Sequence, residues 1–168
     1  MKYLTGWLVF AAALLSFGSA QGFQSYTFGE IKWLSAPAVV VAKLEAAGYT
    51  VENSQLDSQN QLSFTGPWLG NRAVGTADFG DQQLLRVTLS LPGAGEAVYP
   101  QLRDDLAEAY GSPSREATNG VRWFTDEISG NFGSLSLGER GDEISVALEC
   151  PRWDYYLTKL RGEGSGAF

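Results

Sequence analysis

The chain has no histidine among its 168 residues. That excludes Ser-His-Asp and Cys-His catalysis, imidazole acid–base chemistry and histidine-ligated metals. It has one cysteine, Cys150, so no disulfide can form within the chain. The thiol follows the alternating run Ile144-Ser-Val-Ala-Leu-Glu149, has no histidine to activate it, and reads as a small buried hydrophobe. Charge is sparse, at 18% of residues, and unbalanced: 12 Lys and Arg against 19 Asp and Glu give a net −7. A chain of that sign has little with which to displace nucleic-acid counterions, so DNA and RNA are excluded as expected partners. Beyond residue 20 no apolar run approaches the length that spans a bilayer. What is plentiful is apolar side chain, 44% of residues, and glycine, 20 residues. The first argues for a packed core rather than disorder, the second for turns and strands over long helices.

The N-terminus has the three parts of a secretory signal. Lys2 supplies positive charge, residues 8–17 are densely apolar, and Gly18-Ser19-Ala20 offers the small residues a signal peptidase reads. An uncleaved anchor helix is the competing reading; the short dense run and the small-x-small site favour cleavage after Ala20. No cysteine stands near that site, so a lipoprotein signal is excluded. The predicted organisation is a signal at residues 1–20, a single α+β domain at 21–161 and a disordered glycine-rich tail at 162–168. The expected location is periplasmic or secreted.

Within the domain, Val40, Leu44 and Ala47 recur at helical spacing over residues 37–47, with Ser35 as expected N-cap, Pro37 in the first turn and Gly48 as the stop. Strands are predicted at 49–52, 61–65, 72–79 with a bulge at Gly75, and 85–91. In the last of these Leu85, Val87, Leu89 and Leu91 alternate with Arg86, Thr88 and Ser90, so one face is buried and one wet. A second helix is expected over 96–110, carrying Val98, Leu102 and Leu106 and ending at Gly111. Hairpins are expected at Asn119-Gly120 and Arg140-Gly141-Asp142, and a last short helix over 151–160. The fold class is therefore α+β, an antiparallel sheet of about seven to eight strands with two main helices on one face. The order helix–Gly–strands occurs twice. That fits a duplicated helix-plus-strands unit, though the sequence similarity between the halves is too short to establish one.

Thr27-Phe28-Gly29-Glu30-Ile31-Lys32-Trp33, then Ser35-Ala36-Pro37 and Leu44-Glu-Ala-Ala-Gly48-Tyr49-Thr50-Val51, resembles the opening of small exported bacterial α+β modules. Tyr99-Pro-Gln-Leu102 to Leu106-Ala-Glu-Ala-Tyr110-Gly111-Ser-Pro113 extends the resemblance. The layout is similar to that of the beta-lactamase inhibitor proteins and of SmpA/OmlA-type envelope domains. Leu44 to Val51 followed by Leu62-Ser-Phe64 also resembles YbjN-type domains. The first two resemblances imply a binding or assembly module rather than an enzyme. The matched positions are mostly helix stops and core residues, so no binding residue carries over by motif.

Candidate chemistry is thin. Asp104-Asp105 and Asp126-Glu127 are adjacent carboxylates, and adjacent side chains on a helix diverge rather than face one substrate. Asp57-Ser58-Gln59-Asn60-Gln61 lacks the carboxylates and central glycine of a calcium loop. Gly93-Ala94-Gly95 lacks the continuation of a phosphate loop, and Arg140-Gly141-Asp142 reads as a turn. No catalytic residue, metal site or cofactor is therefore predicted. Aromatics carry the binding expectation: Trp68, placed between Pro67 and Gly70 on an exposed loop tip, with Trp33, Trp123 and Tyr155. The predicted function is an exported non-enzymatic binding module that presents a sheet face or loop aromatics to another envelope or secreted protein. The alternatives are a small-ligand or glycan binder using those aromatics and, least supported, a carboxylate-dependent hydrolase.

Overall fold

A computed structural model describes residues 26–94, 97–124 and 133–164, with side chains to residue 159. The expected signal at 1–20, Gly95-Glu96, Asp126-Glu127 and the end of the tail lie outside the described residues.

Helix α1 (Pro37–Ala46) starts with proline at N1, where the missing N–H is not needed. The expected Ser35 cap is not formed. Ala36 is the N-cap, without a side-chain bond, and Ser35 uses its carbonyl to accept from Leu84 N–H at 3.0 Å. Leu34 N–H returns a bond to the Leu84 carbonyl at 2.9 Å, so the helix entry is clamped to a strand. Gly48, at φ +86°, lets the chain leave the helix into β1 (Thr50–Val51). β2 (Gln61–Trp68), β3 (Asn71–Gly80) and β4 (Gln83–Pro92) follow as hairpins. The chain then forms α2 (Val98–Tyr110), β5 (Arg115–Ala117), β6 (Gly120–Phe124), β7 (Ser134–Arg140), β8 (Glu143–Glu149) and α3 (Trp153–Gly164). The fold is α+β, with one antiparallel sheet in the order β1-β2-β3-β4-β8-β7-β6-β5. Each half runs helix then four strands in chain order, and the halves meet where β4 pairs with β8.

The register explains the core. Val87, Leu148, Leu135 and Trp123 form one row across four strands, and Leu89, Val146, Leu137 and Val121 the next. These rows belong to one buried cluster with Val40 and Leu44 of α1, Leu102 and Leu106 of α2, and Tyr26, Phe28 and Ile31 of the segment before α1. The Phe28 ring lies 5.4 Å from Tyr49 and 5.7 Å from Phe64, so this segment fills the core through its aromatics.

Four local expectations are corrected. β2 continues through Gly66-Pro67 to Trp68, leaving Leu69-Gly70 as the turn. Gly75 is not a bulge: it pairs regularly with Phe64 and Leu89, and a Cβ there would collide with the Phe64 ring. The register shift falls at Asp78/Phe79, where Asp78 pairs Arg86 and Phe79 pairs Leu84. That leaves Leu85 as the extra residue. Leu85 is buried but outside the main cluster; a Cβ on Gly80 would meet both it and Tyr156 of α3. Finally, α3 runs to Gly164, through the residues expected to begin the tail.

Candidate functional site

The polar positions of the strands share the opposite sheet face. One row is Asp78, Arg86, Glu149, Ser134 and Phe124; the next is Thr76, Thr88, Ala147, Ser136, Arg122 and Arg115; the third is Val74, Ser90, Ser145, Gly138, Gly120 and Ala117. The last two rows are dominated by small side chains from β4 to β5. They form the floor of a groove of about 320 Å³, and Arg86, Arg122 and Arg115 also line it. That volume is at the lower end of ordinary ligand sites.

The arginines are held differently. Arg122 Nη2 donates to Ser134 Oγ at 2.8 Å and to Glu149 Oε2 at 3.1 Å, and Ser134 Oγ donates to the same carboxylate oxygen at 3.1 Å. Arg86 Nε lies 3.5 Å from Glu149 Oε1, within ion-pair distance but without a hydrogen bond. The Arg86 guanidinium stacks on Trp153 of α3 at 5.2 Å. Glu149, 17% exposed at its side chain, thus neutralises one of two guanidiniums that share it. Arg115 has no ion pair among the described residues; its guanidinium lies 6.0 Å from the Phe124 ring. Among the described residues no carboxylate lines the groove. The hydroxyls of Thr88, Ser136 and Ser145 on the floor complete a set suited to holding an anion by charge-assisted hydrogen bonds.

Of the four aromatics singled out by sequence, Trp123 is a core residue, 1% exposed, with Nε1 donating to the Gly111 carbonyl at 2.8 Å. It offers no surface to a partner. Trp68 ends β2 on the side of Leu62 and Phe64, is half-buried and packs against the core, so it is not a loop-tip residue. Trp33 is also half-buried against the core, with its Nε1 buried and without a hydrogen-bond partner among the described residues. Tyr155, 74% exposed on α3, is the one fully presented to solvent. No ring contact joins any two of the four among the described residues. Sequence reasoning missed the groove. The signal was the run of small residues at outward strand positions, Gly120, Ser136, Gly138, Ser145 and Ala147, beside Arg122 and Arg86.

Burial pushes the Cys150 thiol above its ordinary value, which works against a nucleophilic role. Burial also raises the Asp78 carboxyl, against the opposing effects of the Gln61 hydrogen bond and the Arg86 charge. Among the described residues no group of three or more acidic or cysteine side chains is placed to hold a metal ion, and no helix is long and apolar enough to cross a membrane. No protein family matches the chain, and no similar curated protein or solved structure is found.

Proposed function

We propose that the protein is an exported, non-enzymatic binding module that works through the wet face of its sheet, presenting the arginine-lined groove to another envelope or secreted protein. The observation that carries this reading is the groove itself. A solvent-facing sheet surface ordinarily bears long polar side chains, whereas here small residues on neighbouring strands leave a depression rimmed by guanidiniums. The anatomy of residues 1–20 supports export, and the lack of histidine with an unactivated Cys150 supports binding without chemistry.

Two measurements test it. N-terminal sequencing of the exported product is expected to read from Gln21, and a membrane-retained chain keeping Met1 would contradict export. Capture from the native exported fraction is expected to retrieve a protein with wild type and with Tyr155→Ala, and to lose it with Ala147→Arg, which fills the groove floor. Capture that survives Ala147→Arg but fails with Tyr155→Ala would move the binding surface to α3.

A further inference from the structure

Resting on that reading, we infer that the groove's occupant is an acidic segment of a partner protein, lying extended across the strands with its carboxylates on the arginines. Three of the chain's 12 cationic side chains line this one depression and, among the described residues, no Asp or Glu does; Glu149 beside it balances one of those charges, in a protein of net charge −7. The charge of the groove is therefore opposite to that of the molecule, which selects for carboxylates and disfavours basic partners.

Shape narrows the class further. The lining runs from Arg86 and Thr88 on β4, across β8, β7 and β6, to Arg115 and Ala117 on β5. Four interstrand spacings make a path of about 19 Å, the reach of about five to six residues of extended chain. A compact anion does not span that path, even where Arg86 and Arg122 converge on Glu149, whereas an extended segment long enough to cross it can reach Arg115 as well. Gly120 and Gly138 pair across β6 and β7, so no side chain of theirs rises from the middle of the floor. Arg122 is fixed by donating one bond to Glu149 and one to Ser134, which reduces the side-chain entropy lost on binding. Arg115, free of any ion pair among the described residues, adds a further charge that Glu149 does not balance.

The test uses blocked peptides of about eight residues, alternating Asp-Ala or Asn-Ala, titrated onto the mature chain by calorimetry. The Asp-Ala peptide is expected to bind at low salt, at least about tenfold more tightly than the Asn-Ala peptide. Its affinity should fall at high salt, as exposed charge pairs do. Arg115→Gln is expected to weaken it by about tenfold or more while leaving the thermal midpoint nearly unchanged, since Arg115 has no ion pair among the described residues and its approach to the Phe124 ring is long, at 6.0 Å. Glutarate as a small dicarboxylate should bind far more weakly; equal affinity would overturn the extended-segment assignment in favour of a compact anion. Failure of the Asp-Ala peptide to bind, with native capture still lost in Ala147→Arg, would overturn the acidic class and leave the groove as the binding surface. Self-association abolished by Arg115→Gln, with no peptide binding, would overturn the partner-segment assignment and give the groove to a second copy of this chain.

Discussion

At the scale of single residues, a tryptophan after Pro67 and before Leu69-Gly70 reads as an exposed loop aromatic, because proline and glycine on either side are turn formers. Strand parity decides otherwise. Leu62, Phe64, Gly66 and Trp68 alternate along one strand, and the pairing of Trp68 with Asn71 closes the hairpin. Glycine at 66 is required by the Tyr49 ring, which occupies the space a Cβ would take. A residue chosen for packing thus imitates punctuation in the sequence. Trp68→Ala is expected to lower stability by about 1–3 kcal/mol, less than the about 3–5 kcal/mol of a fully buried aromatic, and to leave partner capture intact. Denaturant unfolding and capture on one variant check both. Asp78 makes a second prediction. Burial raises its pKa above the ordinary 3.8, so the folded state holds its proton more tightly than the unfolded state does. By linkage its contribution to stability falls as pH rises through the window from 3.8 to the folded value, and is constant above it. The stability difference between wild type and Asp78→Asn should therefore shift against wild type across that window. Urea titrations from about pH 3 to 7 read this, and a difference moving the opposite way would mean that the Gln61 hydrogen bond and the Arg86 charge together outweigh burial.

At the scale of elements, the positions of most strands and both main helices were legible because their periodicity follows from burying one face. The alternation is clearest in β4, where Val87, Leu89 and Leu91 point one way and Arg86, Thr88 and Ser90 the other. Helix stops were legible because Gly48 and Gly111 sit at φ +86° and +83°, where a Cβ is strained. The bulge was not legible. Gly75 is the residue type that usually marks one, but the irregularity lies at the β3–β4 turn, where Leu84 must remain in the core while its backbone pairs with Leu34 and Ser35. That demand comes from a different segment of chain and leaves no local trace. The groove escaped for the same reason, since its rows join residues from five strands. α2 supplies the prediction at this scale. Leu102 and Leu106 are buried on it, and its C-terminus is tied to β6 by Trp123 Nε1 on the Gly111 carbonyl. Leu106→Ala should cost about 2–5 kcal/mol in denaturant unfolding, and a cost below about 1 kcal/mol would mean that the helix packs only weakly.

At the scale of the whole molecule, the repeated order of helix and four strands poses the question of whether each half is an independent folding unit. The register argues against it. β4 and β8 pair continuously from Arg86 with Glu149 to Pro92 with Glu143, and on the buried side Val87, Leu89 and Leu91 meet Leu148, Val146 and Ile144. The buried cluster is one body running from Val40 and Phe64 in the first half to Leu106 and Trp123 in the second. Separating the halves would strand these apolar rows in water, and each half would expose an unpaired central edge. The groove crosses the same junction, taking Arg86 and Thr88 from the first half and most of the remaining floor from the second. On the proposed function, binding would therefore depend on the joined sheet. Thermal unfolding is expected to be a single transition, with a calorimetric to van't Hoff enthalpy ratio of about 1. Val146→Ala, at the centre of the β4–β8 ladder, should lower the midpoint of that one transition without splitting it. Two resolved transitions, or a Val146→Ala variant in which only one of two moves, would show two autonomous halves joined along an edge, and would place the groove at a docking seam rather than within a single cooperative sheet.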